Sequence, residues 1–298
     1  AVVFEVTTAE ELQAALATAA SNGGDDTIYL SGSTLVGNFR FKNEEPYRLS
    51  ITGVSAQQSV LNGNNEAFVF DILMGGHPGS SVSLSQVTIT GGSSEVGSGV
   101  NFEGEMSGAN VAEASAPALV IDNVNFSENK GSEGVAIRVA EGRLSLSRSD
   151  ITDNGVSEGL YYYSSTILCE QCDLEITETK ISQNYQQFPV RVISSSTDVT
   201  IEKTEIRSSV IEEMSGVIGI YADLNATLHL LDSKVSIAEG RILFATLDDA
   251  VIRNNKLIVG SSTLGALEVR SSGGSKVSSN FLTIVNGCSS FFQNGALN

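Results

Sequence analysis

The apolar positions of this chain alternate in short bursts, and the bursts recur. The pattern is clearest in Leu119-Val120-Ile121-Asp122-Asn123-Val124-Asn125-Phe126-Ser127-Glu128-Asn129. Here two alternating apolar residues, a two-residue corner and a second alternating pair end on an Asn. The phrase returns as Leu144, Leu146, Ile151 and Asn154, and again as Leu174, Ile176, Ile181 and Asn184. Alternation of this kind predicts short strands with one face buried. The second apolar residue of the phrase falls at Ile28, Ile51, Leu84, Ile121, Leu146, Ile176, Ile201, Leu230, Ile252 and Val277. The intervals are 23, 33, 37, 25, 30, 25, 29, 22 and 25 residues. A base unit of 22–25 residues, lengthened by loop insertions, marks a repeat architecture.

Between successive phrases lies a third strand-like stretch: Ala67 to Ile72, Val135 to Val139, Leu160 to Tyr163, Val190 to Ile193, Val217 to Tyr221, Ile242 to Leu247 and Ala266 to Val269. Each repeat then holds three strands and three turns. The chain opens with a strand, Phe4 to Val6, and one helix. Thr8 and Glu11 have capping-box spacing, Leu12, Ala15, Leu16 and Ala19 form an apolar stripe, and Asn22-Gly23-Gly24 ends it. Sustained helical periodicity is absent after residue 20, which excludes leucine-rich and helical repeats. The interval also excludes an 18-residue left-handed coil.

Three strands per coil of this length resembles the right-handed parallel β-helix of the pectate-lyase-like superfold. That superfold is shared by polysaccharide lyases, pectinases, viral tailspikes and bacterial surface proteins. The resemblance implies an all-β, single-stranded solenoid of about ten coils with three short parallel sheets and an N-terminal capping α-helix. Residues 1–298 form one domain in this reading: 1–26 as the N-terminal cap, 27–286 as coils and 287–298 as the C-terminal cap. Phe291, Phe292 and Leu297 are expected to cover the last coil. At about 4.8 Å per rung the rod is on the order of 48 Å long. Because one superfold hosts many activities, function has to come from the residues themselves.

Asn129, Asn154 and Asn184 each fall eight residues after their marker. They are expected in left-handed turns, with their amides stacked as a ladder along the rod. Ser209, Ala238 and Gly260 at later equivalent positions suggest that the ladder stops. Cys169-Glu170-Gln171-Cys172 reads as a local disulfide or as two free thiols. A zinc site is disfavoured, because Cys288, His77 and His229 belong to other coils.

The outward face of the third strands carries the candidate binding residues. Arg138 points out between Ile137 and Val139, Arg191 between Val190 and Val192, and Arg270 follows Val269. Tyr161 and Tyr163 (or Tyr162 in the opposite register) and Tyr221 lie in intervening coils. Arg and Tyr on one long face suit an extended glycan through stacking and charge-assisted hydrogen bonds. Loop function is most readily grafted on the insertions, the largest being Ser93 to Pro117. Within the superfold, lyases use an Arg or Lys base and carboxylates that hold calcium, and hydrolases use Asp clusters on neighbouring coils. Asp150, Asp153, Asp198, Asp232, Asp248 and Asp249 fall in or near expected turns, with Glu175 and Glu202 outward on first strands. None of them aligns to a family motif.

Composition narrows the partners. A net charge of −18 disfavours nucleic acid, whose affinity comes largely from Lys and Arg. No apolar run approaches a membrane span. The start at Ala1, without Met and directly into a strand, fits a mature secreted chain. The expectation is therefore a secreted or surface β-helix with a non-catalytic role, binding a polysaccharide along its side or stacking end-to-end on another copy. A calcium-assisted polysaccharide lyase or hydrolase is the alternative.

Overall fold

The structure is a computed structural model. It describes every residue except 44, 76, 78, 105–115, 156–163, 187, 194–196, 209–216, 263–266, 272–274, 288–290 and 295–298. The chain is all-β apart from one helix, and its strands pair in parallel with strands of the preceding and following coils. Three ladders run the length of the stack.

The marker residues measure the first ladder. Ile28 pairs with Ile51, Ile51 with Leu84, Leu84 with Ile121, and the register continues through Leu146, Ile176, Ile201, Leu230 and Ile252 to Val277. Phe4 adds a rung ahead of Ile28. A one-residue slip would have turned the apolar set outward, so burial of one face fixes the register. The second ladder stacks Leu35, Leu61, Ile89, Phe126, Ile151, Ile181, Ile206, Val235, Leu257 and Leu282. The third stacks Phe41, Ile72, Phe102, Val139, Cys169, Val192, Ala222, Ala245 and Val269. Most of these residues are buried in one continuous core, and each buried Leu, Ile, Val or Phe contributes roughly 1.5–3 kcal/mol.

Several third strands differ from the sequence expectation. Phe39–Asn43 and Val100–Gly104 both belong to the third ladder. The Ser93 to Pro117 stretch is thus only partly an insertion. Val100 and Phe102 enter the core there, but their Gly and Ser neighbours read locally as a loop. In the coil after Asn154 the third strand begins at Ser165, with Ile167 and Cys169 inward. Leu168 therefore occupies the outward slot expected for a Tyr. Tyr161, Tyr162 and Tyr163 lie outside the described residues. At the far end, Phe291–Asn294 pairs with Leu267–Arg270 and adds a strand to the third ladder, where a terminal cover was expected.

The corners show why the phrase has its form. The residue two after the marker has positive φ in coil after coil: Gln86 55°, Asn123 55°, Arg148 47°, Glu178 50°, Lys203 49°, Asp232 49°, Asn254 59° and Ser279 55°. The residue one further on turns its side chain inward and hydrogen-bonds to the coil before it. Ser149 Oγ accepts from Val124 N–H, Thr179 Oγ1 from Ser149, Thr204 Oγ1 from Thr179, Ser233 Oγ from Thr204, Asn255 Oδ1 from Ser233 and Asn280 Oδ1 from Asn255. This hydroxyl-and-amide ladder has no single residue type to betray it in sequence.

The expected Asn ladder is present, with one correction. Asn129, Asn154 and Asn184 are not themselves left-handed; Glu128, Asp153 and Gln183 before them are, at φ 56°, 56° and 57°. The division is physical. The strained residue points its side chain at solvent, leaving the Asn free to turn inward. Asn129 Nδ2 donates to Asn154 Oδ1 at 2.9 Å, and Asn154 Nδ2 to Asn184 Oδ1 at 3.0 Å. Each Nδ2 also donates to a main-chain carbonyl of the preceding coil, Ile89, Phe126 and Ile151 respectively.

The helix, Ala9–Ala19, starts with the expected capping box of Thr8 and Glu11 and buries Leu12, Ala15, Leu16 and Ala19. Its Gln13 side chain donates to Arg40 C=O and accepts from Arg40 N–H. One side chain thus satisfies both backbone groups of Arg40 on the outer edge of the first third-ladder strand. No helix among the described residues is long and apolar enough to cross a membrane.

Candidate functional site

Each ladder has an outward face, and the candidate residues lie on two of the three. On the third ladder, one column reads Arg40, Asp71, Asn101, Arg138, Leu168, Arg191 and Tyr221. Arg138, Arg191 and Tyr221 do share this face. Arg270 does not share the column: Phe244 aligns with Glu268, which shifts Arg270 two residues along. Leu243 pairs with Ile220 in the core, one position before the column.

This face is largely committed to itself. Arg138, whose side chain is only 18% exposed, places Nε 2.7 Å from Glu170 Oε2 and Nη1 2.8 Å from Glu103 Oε1. The same Nη1 donates to Asn101 Oδ1, and Asn101 in turn donates to Asp71 Oδ1. Asp71 also holds Arg40 Nε at 2.8 Å. Burial works against the Arg138 charge, but Glu170 and Glu103 outweigh it and raise its pKa. Arg191 lies over the Phe188 ring at 5.6 Å, near Glu133 Oε1 at 3.7 Å, and Phe188 meets Tyr221 at 5.2 Å between centroids.

The first-ladder face is more open. A groove of about 230 Å³ is lined by Ala118, Val120, Leu144 and Leu174, and by the polar residues Arg143, Ser145, Asp173, Glu175, Asp198 and Thr200. The register explains the clustering. Arg143 pairs with Asp173, Ser145 with Glu175, and Glu175 with Thr200, which is followed by His229. Asp173 accepts the Asp198 N–H at 3.1 Å, and Ser145 Oγ donates to Glu175 Oε2 at 3.4 Å. Asp198 is the second residue of the strand Thr197–Glu202. Successive rungs then set the backbones that carry these side chains about 4.8 Å apart.

Arg143 and Asp173 were not singled out from sequence, yet a signal was there. Counting back three and one from successive markers yields Arg143/Ser145, Asp173/Glu175 and Asp198/Thr200.

The cysteines buttress this groove. Cys169 and Cys172 are joined by a disulfide and are both buried. The bridge spans the left-handed corner at Gln171 and leads directly into Asp173. Among the described residues, no group of three or more His, Cys, Asp or Glu is arranged to hold a metal ion.

Beside the groove, Asp122 accepts from Ser147 Oγ and meets Arg148 Nη2. Burial pushes its pKa up, but the Arg148 and Ser147 hydrogen bonds prevail and hold the carboxyl below its ordinary 3.8. Lys234 holds Glu205 below its ordinary 4.5. Depressed carboxylates stabilise the fold fully above their unfolded-state values, and that contribution is lost as pH falls through the folded-state values. Denaturation midpoints should therefore stay level from pH 7 to about 5 and fall below about 4. The acid fall should be shallower in the Asp122→Asn/Glu205→Gln double variant; an unchanged profile would show these pairs to be silent.

No family model matches the chain, and no curated protein matches it. Among solved structures, two show the following distant likeness. An alginate lyase from Paenibacillus sp. str. FPU-7 aligns with TM-score 0.33 and 11% identity, over 93% of this chain and 98% of that one. A pectin methylesterase from Aspergillus niger aligns with TM-score 0.31 and 12% identity, over 96% of this chain and 84% of that one. Likenesses this distant carry no inference about chemistry.

Proposed function

We propose that the chain is a right-handed, single-stranded parallel β-helix whose first-ladder face binds an extended polysaccharide. Handedness rests on the strong right-handed preference of connections between parallel strands of one sheet. The observation that carries the function is the groove lined by Arg143, Ser145, Asp173, Glu175, Asp198 and Thr200. It presents hydroxyls, carboxylates and one guanidinium in register along the rod, the groups that exchange hydrogen bonds with sugar hydroxyls. Three carboxylates against one cation, on a chain of net charge −18, favour neutral or amino sugars over polyuronates. In this reading the third-ladder arginines brace the rod and do not contact the ligand. The buried Cys169–Cys172 disulfide supports an oxidising, extracellular setting.

A carbohydrate-active enzyme is the second reading, favoured by Asp173, Glu175 and Asp198 meeting in one groove on neighbouring coils. Paired carboxylates in such positions perform acid–base chemistry when their environments differ.

One experiment separates these readings. A glycan array followed by calorimetry should find a neutral or amino-sugar glycan, with affinity reduced at least about tenfold by Asp173→Asn/Glu175→Gln. The same glycans incubated with and without calcium should release neither unsaturated nor reducing ends. Turnover abolished by the double variant would establish the enzyme. Failure to bind any glycan, or binding indifferent to the substitutions, would remove the proposal.

A further inference from the structure

From the groove toward the N-terminal coils, the first-ladder face continues as a row of hydroxyls. One outward column reads Thr27, Ser50, Ser83, Val120 and Ser145, and the column beside it Tyr29, Thr52, Ser85, Asp122 and Ser147. Both flank the buried markers, so their side chains point away from the core. Only Asp122 in these two stretches carries a charge, and Arg148 and Ser147 already hold it. In the other direction the hydroxyls stop. After Thr200 and Glu202 come His229 and Leu231, then Val251 and Arg253.

The row offers both a hydrogen-bond donor and an aromatic surface. Ser85 Oγ donates to Thr52 Oγ1 at 3.0 Å. Thr52 keeps its own proton, which has no acceptor among the described residues and is available to a ligand. Tyr29 lies within the ladder, paired with Glu5 on one side and Thr52 on the other, yet is 44% exposed. An aromatic ring with an apolar body and a polar tip suits stacking on a sugar. Four rungs separate Tyr29 from Ser145 at the groove, a distance of about 19 Å.

We propose that Tyr29 and Thr52 form a second subsite for the same sugar chain, reached from the groove over Ser83 and Ser85. This rests on the reading of the groove as a glycan site. A long chain then runs along the rod toward the N-terminal coils, while a disaccharide fills the groove alone. The class of sugar follows from the row. An uncharged, straight line of hydroxyls exchanges hydrogen bonds with neutral sugars without desolvating a charge, so the outer part of the chain is neutral, plain or N-acetylated.

Calorimetry with cello-oligosaccharides and N-acetylated chito-oligosaccharides of graded length tests this directly. In one of the two series, affinity should rise at least about tenfold from the disaccharide to the long members. Tyr29→Ala and Thr52→Val should each remove most of that gain and leave disaccharide affinity unchanged, which also shows that the variants are folded. Tyr29→Phe keeps the ring and should keep most of the gain. Asp173→Asn/Glu175→Gln should weaken every length, and His229→Ala, in the other direction, should leave the gain intact. Affinity independent of length, a gain that survives both Tyr29→Ala and Thr52→Val, or a gain lost in His229→Ala would overturn the second subsite and leave the groove standing. Failure of both series to bind would also overturn it, and the groove then stands or falls on the glycan array.

Discussion

Replacing Asn154 by Ala should destabilise the protein by about 3 kcal/mol or more, out of proportion to the few atoms removed. Asn154 is fully buried. Its Oδ1 accepts from both the N–H and the Nδ2 of Asn129, and its Nδ2 reaches Phe126 C=O, Thr152 C=O and Asn184 Oδ1. Truncation strands donors in one coil and acceptors in others, where no water reaches them. An unmet buried donor or acceptor costs about 1–3 kcal/mol, and local relaxation recovers only part of several such costs. Asn280→Ala should cost about half as much, since among the described residues its side chain bonds toward one neighbouring coil. Chemical denaturation of both variants checks the ratio. Equal costs, or a loss under about 1 kcal/mol at Asn154, would mean that the ladder decorates the turn without supporting it.

The second large effect is expected at Arg138. Arg138→Met keeps the aliphatic stem and removes the guanidinium that joins Glu103, Asn101 and Glu170 across three coils. The carboxylates left behind then repel one another without a cation between them. Because Glu103 is 47% exposed and Glu170 33%, solvent screens part of that cost, and a loss of about 2 kcal/mol is expected. A double-mutant cycle with Glu170→Gln isolates the pair. The expected result is that Glu170→Gln costs much less when Arg138 is already Met. Additive losses would show that Arg138 and Glu170 contribute independently. Glycan affinity should be unaffected in Arg138→Met, which sets the bracing face apart from the binding face.

The contrast between these two faces also shows what could be read from residue order. The apolar markers were legible because burial on one side of a strand forces strict alternation. All ten fall in a single column from Ile28 to Val277. Strands without that local signature were missed. Val100–Gly104 sits among Gly and Ser, and only its neighbours in other coils reveal that Val100 and Phe102 point inward. The Ser149, Thr179, Thr204, Ser233, Asn255 and Asn280 ladder was hidden for a similar reason. A hydroxyl and an amide make the same bond, so residue identity varies while geometry does not. The groove was half legible: Glu175 and Asp198 stood out as carboxylates. Their meeting with Arg143 and Asp173 is a property of register between coils, which residue order shows only after the marker has been used as a ruler.

The most direct test of the proposed function is to map a bound disaccharide onto the isotope-labelled protein by NMR. Amide shifts that follow saturation should be confined to residues 143–145, 173–175 and 198–200, on the first-ladder face. Shifts centred on Arg138, Arg191 and Tyr221 would move the site to the other face and contradict the account.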